Sequence, residues 1–182
     1  MRPAPEVHDA LACLLTYPGS ESRGMRYSAA ADVVRRACPE TGVALEGFLS
    51  GVEALDPGEL EELYTRTFDN VAERSLEVGW QLFGENYARA ALMVRLRELM
   101  RRYDVQECTE LPDHLSHVLA LLGRAPVELA AALARNQVAS AVEKVLEGLR
   151  ATRSPWAGVL EATQRVLARH EPPARSPSGT TR

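Results

Sequence analysis

The chain has 182 residues, 46% of them hydrophobic and 5% aromatic, with a formal net charge of -4. That length suits one well-buried domain rather than two, and the acidic balance excludes the basic footprint by which nucleic-acid binders displace counterions from phosphates. Cys13, Cys38 and Cys108 fall at no metal-ligand or redox-motif spacing and read as ordinary reduced thiols.

At the N-terminus, Glu6 and Asp9 precede the short apolar run Ala10 to Leu15 and Arg2 is the only nearby positive side chain, which opposes a secretion signal. No stretch approaches the ~20 apolar residues that span a bilayer. A cytoplasmic protein without stable membrane insertion is expected.

The spacing of Val7, Leu11, Leu14 and Leu15 predicts a first helix from Glu6 to Tyr17, ended by Pro18-Gly19. A second is predicted from Met25 to Ala37, broken at Cys38-Pro39. A third, Pro39 to Leu55, turns Val43, Leu45, Phe48, Leu49 and Val52 inward, against the weakening effect of Gly42, Gly47 and Gly51. Asp56-Pro57-Gly58-Glu59 has the form of a capping box. It opens a helix whose Leu60, Leu63, Tyr64, Thr67 and Phe68 share one face.

A short helix or turn is expected around Ser75 to Leu82, between Gly79 and Gly84 punctuation. The next helix, Glu85 to Tyr103, carries Leu92, Leu96, Leu99 and Tyr103 on its core stripe. Arg95, Arg97, Arg101 and Arg102 fall on a solvated face. Pro112 opens a helix with Leu115, Val118, Leu119 and Leu122 inward and Gly123 at its end. Pro126 starts a region reaching Arg150 with a bend near Asn136, and Pro155 starts a last helix through Trp156, Val159, Leu160, Val166 and Leu167. The fold expected is all-α: a single-domain bundle of about seven to nine helices over residues 1–170, with a proline-rich, polar, disordered tail over 171–182.

Glu110-Leu111-Pro112-Asp113-His114-Leu115 is the strongest polar constellation. A carboxylate at a helix start is stabilised by the helix dipole, and an exposed one can pair with an arginine brought by a partner. The same residues also make plain helix-start chemistry, and spacing leaves both readings open. His114 and His117 lie three apart without a third ligand at recognisable spacing, so no metal and no cofactor are expected. No nucleophile motif or phosphate-binding glycine loop gives catalysis an anchor. If the chain were an all-helical enzyme, Asp113, His114 and His117 would be its only candidate centre; a helical adaptor is the third class. Leu63, Tyr64, Thr67 and Phe68 read either as core or as a groove wall for an amphipathic peptide, with Asp69 at the rim.

Tyr64-Thr65-Arg66-Thr67-Phe68-Asp69, then Ser75-Leu76, Gly84 with Arg89, and Glu110 to Leu115, resemble in order and interval the redox-enzyme maturation chaperones of the TorD/DmsD/NarJ type. The likeness is nearest to the nitrate reductase delta-subunit branch. His114 after Asp113 follows the export-chaperone branch instead, and the Pro-Trp element of that branch is missing after Gly84. The resemblance implies an all-helical chaperone, not an enzyme, that binds the N-terminal leader of a molybdopterin oxidoreductase catalytic subunit, of the twin-arginine or a related kind. It implies a role in cofactor insertion or export proofreading. Carried over residue by residue, the peptide-binding candidates are Tyr64, Phe68, Asp113 and His114, with Asp69 beside them. Composition leaves the oligomeric state open.

Overall fold

The computed structural model describes residues 3–19 and 23–170, with side chains of residues 23–25 left aside; the expected tail lies outside this range. The described residues form ten α-helices and no strand. They are α1 Pro5–Leu14, α2 Arg23–Ala37, α3 Gly42–Val52, α4 Pro57–Tyr64, α5 Val78–Phe83, α6 Tyr87–Arg102, α7 Leu115–Arg124, α8 Val127–Leu133, α9 Ala139–Thr152 and α10 Trp156–Leu167. A π-helical turn, Ala134–Val138, joins α8 and α9 around Asn136, where the sequence predicts a bend, and counting the joined helix once gives nine helices among the described residues. None is long and apolar enough to cross a membrane.

Packing follows the apolar stripes. α1 lies along α7 and α2, α10 along α3 and α9, and α5 bridges α9 and α6. The centre is aromatic: Trp156 meets Phe48 at 5.7 Å and both Tyr64 and Phe68 at 5.6 Å between ring centroids. The carbonyls at the C-terminal end of α1 have no partner within their own helix. Trp156 Nε1 donates to Leu14 O at 3.1 Å and the Tyr64 hydroxyl donates to Leu15 O at 2.8 Å. The helix can therefore end inside the core without orphaned backbone groups.

Asp56 caps α4 as its sequence predicts, accepting from Glu59 N at 2.9 Å while Glu59 accepts from Asp56 N at 2.9 Å. Other expectations shift. α1 stops at Leu14, short of Tyr17. Residues 39–41 form a separate 3₁₀ turn, so α3 begins at Gly42 and sets Val43 on the outward side with Glu46 and Ser50; Val43 is 86% exposed rather than inward. Gly123 does not end α7, which continues to Arg124. A β-carbon there would sit 3.1 Å from the Pro5 backbone and 3.2 Å from His8 Cβ, so glycine serves the close approach of α1. Pro112 does not open α7 either. Residues 112 and 113 form a turn closed by His114 N donating to Leu111 O at 2.9 Å, and His114 is the N-cap of a helix that starts at Leu115.

Candidate functional site

The apolar face that begins with Leu60 does not end with α4. A π-helical turn over Thr65–Asp69 extends it, and Phe68, Asp69 and Asn70 at its end line the cleft described below. Single π turns of this kind are frequent at functional sites. Opposite this ridge runs the segment Ser75–Leu76–Glu77, clipped to the turn before α7 by two backbone bonds, Val78 N to Asp113 O at 2.7 Å and Leu115 N to Leu76 O at 2.8 Å. These flank an isolated antiparallel bridge between Glu77 and His114.

Between ridge and clip lies a cleft of about 430 Å³. Tyr64, Phe68, Leu76 and Trp80 supply its apolar lining, and Asp69, Glu77 and Glu110 supply carboxylates. Arg89 and His114 complete the wall. Tyr64 and Phe68 are each only 2% exposed. They serve the core first and present only an edge to the cleft.

The carboxylates crowd one another. Burial holds the Asp69 carboxyl above its ordinary range, opposed by a hydrogen bond from Thr65. Glu110 is also raised, by burial first and then by the charges of Asp69 and Glu77, with His117 pulling the other way. His114 is pushed down to about 4 by burial and by the neighbouring His117. Its Nδ1 accepts from Ser116 N at 3.3 Å and meets Ser116 Oγ at 2.7 Å, so the hydrogen-bond network assigns a neutral imidazole protonated on Nε2.

Asp113 is placed differently from the sequence expectation. It is fully buried behind the cleft, not exposed to a partner, and its Oδ2 accepts from Arg89 Nε at 2.9 Å. The second oxygen, Oδ1, has no hydrogen-bond partner. Arg89 also lies 3.7 Å from Glu77 and 5.5 Å from the Trp80 ring. Gly79 makes room for this pair: a β-carbon there would fall 2.7 Å from Asp113 Oδ2 and 3.0 Å from Arg89 Cγ. The arginine that meets Asp113 is the chain's own.

Asp113, His114 and His117 do not converge. His117 Nδ1 lies 3.0 Å from Leu111 O, its Nε2 accepts from Cys108 N at 3.1 Å, and each of the three side chains is engaged with its own neighbours. Among the described residues no three His, Cys, Asp or Glu side chains are grouped to hold a metal ion.

Four of the five expected residues, Tyr64, Phe68, Asp69 and His114, share the cleft; Asp113 braces its wall. Glu77 and Trp80 escaped the sequence reading. The only available signal was a second tryptophan, half-buried, in a chain with few aromatics.

The family described as nitrate reductase delta subunit matches residues 34–162, which is well over half of the chain. The chain belongs to this family. The match runs from α2 into α10 and contains the whole cleft, and no curated protein matches the chain. The nitrate reductase delta subunit family is one of molybdoenzyme maturation chaperones, whose members bind molybdoenzyme catalytic subunits.

Proposed function

We propose that this chain is a cytoplasmic chaperone that holds the N-terminal leader of a molybdopterin oxidoreductase catalytic subunit in the cleft between the Tyr64–Asn70 ridge and the Ser75–Glu77 clip until the cofactor is in place. The observation that carries this reading is the composition of the cleft: the half-buried Trp80 and the edges of Tyr64, Phe68 and Leu76 beside the carboxylates of Asp69, Glu77 and Glu110. A leader is basic and then apolar, and an amphipathic segment buries its apolar face in such a groove while rim charges set its direction. The neutral His114 offers a hydrogen bond without adding a cation that would repel the leader.

The test is co-purification from cells expressing the chain with a molybdopterin oxidoreductase catalytic subunit of the same organism. The full subunit is expected to co-purify, and the same subunit lacking roughly its first 30 residues is not. Equal recovery of both forms overturns leader binding while leaving the family assignment in place.

A further inference from the structure

Spacing alone makes Cys108 an ordinary thiol, but the fold gives it a base. Cys108 is exposed on the loop between α6 and α7, and its Sγ lies 3.2 Å from Nε2 of His117, in the first turn of α7. The imidazole is only 5% exposed. Its Nδ1 is 3.0 Å from Leu111 O, and a carbonyl can only accept, so Nδ1 carries the ring proton and Nε2 keeps its lone pair. That lone pair is aimed at the exposed cysteine, where the backbone N–H of Cys108, at 3.1 Å, and the thiol share it. A nucleophile within reach of a base, with the base oriented by a third group, is the arrangement that activates a thiol. The Glu110 carboxylate interacts with the charge of His117 and favours an imidazolium there, while the neutral His114 adds no opposing charge. The Glu107 carboxylate is engaged by Arg97 at 2.9 Å and leaves the thiol free. Cys38, by contrast, is sealed in the core and burial pushes its thiol up to about 11.

We propose that Cys108 is a modification site, at which the thiol, with His117 as its base, exchanges with a low-molecular-weight disulfide to form a mixed disulfide. The thiol proton passes to His117 Nε2, and the amide N–H of this exposed residue turns to water. The thiolate attacks one sulfur of the disulfide; the new bond to Cys108 Sγ forms as the old S–S bond breaks. Cys108 is oxidised, the departing sulfur is reduced, and the departing thiolate takes up the proton from His117 to leave as a thiol. The site is independent of the leader-binding reading.

The probe is oxidised glutathione, in excess, at about pH 6, below the ordinary thiol range. It is mixed with the folded protein, with the protein unfolded in urea, and with a synthetic peptide of residues 104–112. Peptide mass spectrometry follows the adduct at Cys108, with Cys13 and Cys38 of the same chain as internal references. Folded Cys108 is expected to react at least about tenfold faster than the peptide and than the other two cysteines, and to lose that advantage in urea. His117→Gln and His117→Asn, each shown to be folded by a thermal melt, are expected to react at the peptide's rate. If Cys108 of the folded wild type reacts no faster than the peptide, or if a folded His117 variant keeps the wild-type rate, the proposal is overturned.

Discussion

Asp113→Asn separates a residue that meets a partner from one that braces a wall. An exposed acid at a helix start would lose only ~0.3–1 kcal/mol of stability with its charge. In the structure the Asp113 side chain has no solvent exposure, Arg89 is 15% exposed, and the two are joined at 2.9 Å. Asparagine keeps the shape but weakens a charge-assisted bond and leaves Glu77 at 3.7 Å as the nearest carboxylate to the guanidinium; the expected loss is about 2–3 kcal/mol. Arg89→Ala strands a buried carboxylate and is expected to lose about 3–5 kcal/mol. For a domain of this size each kcal/mol lowers Tm by about 2–4 °C, so both single variants should melt visibly earlier. The decisive assay is a urea-denaturation double-mutant cycle, in which Arg89→Ala/Asp113→Asn is expected to be at least about 1 kcal/mol more stable than the sum of the single losses. If Asp113→Asn melts within a degree or so of wild type, the buried pairing is refuted and Asp113 returns to the list of residues a ligand can reach.

Three further outcomes follow from the same contacts. Tyr64→Phe leaves Leu15 O without its buried donor and is expected to destabilise by about 1–2 kcal/mol in urea titrations, with the aromatic cluster intact. His114 titrates at about 4 in the folded protein against 6.5 ordinarily, so the unfolded chain takes up its proton first as pH falls. Roughly 3 kcal/mol of stability, present above pH 6.5, is expected to drain away between 6.5 and 4, and His114→Gln should flatten that slope. Asp69 and Glu110 have raised pKa values, so by themselves they favour the fold below their ordinary range, and that contribution is lost as pH rises through the raised values. A cationic peptide reverses the effect: its binding should release protons and tighten as pH rises from the carboxylate range toward neutrality. Calorimetry in buffers of different ionisation enthalpy reads the proton count, and Glu110→Gln should lower it.

What could be read in the sequence was what local chemistry dictates. Asp56 and Glu59 are three residues apart and satisfy each other's backbone, so their capping box is written in the chain itself. The stripes of α6, α7 and α10 repeat with the helical period and are buried largely as that period requires. Pro112 misled because a proline fits a turn as well as a first helical residue, and the backbone bonds that hold residues 113 and 115 come from Val78 and Leu76, far along the chain. The same distance hid the fate of Asp113, whose partner Arg89 lies on another helix and is admitted only by Gly79. The π turn at Thr65–Asp69 has no periodic signature, yet Asp69 and Asn70 at its end line the cleft. Tyr64 and Phe68 were legible as an apolar face, but no spacing could divide their role between core and groove.

The central claim, that the leader lies between the ridge and the clip, is tested most directly by photo-crosslinking. A leader peptide carrying a benzophenone in place of one apolar residue is irradiated with the protein, and the adduct is mapped by mass spectrometry. Adducts are expected on the ridge from Tyr64 to Asn70, on Leu76 or Trp80, or on the Glu110–His114 turn. Adducts confined to the outward face of α3 around Val43, with none in the cleft, would contradict the account.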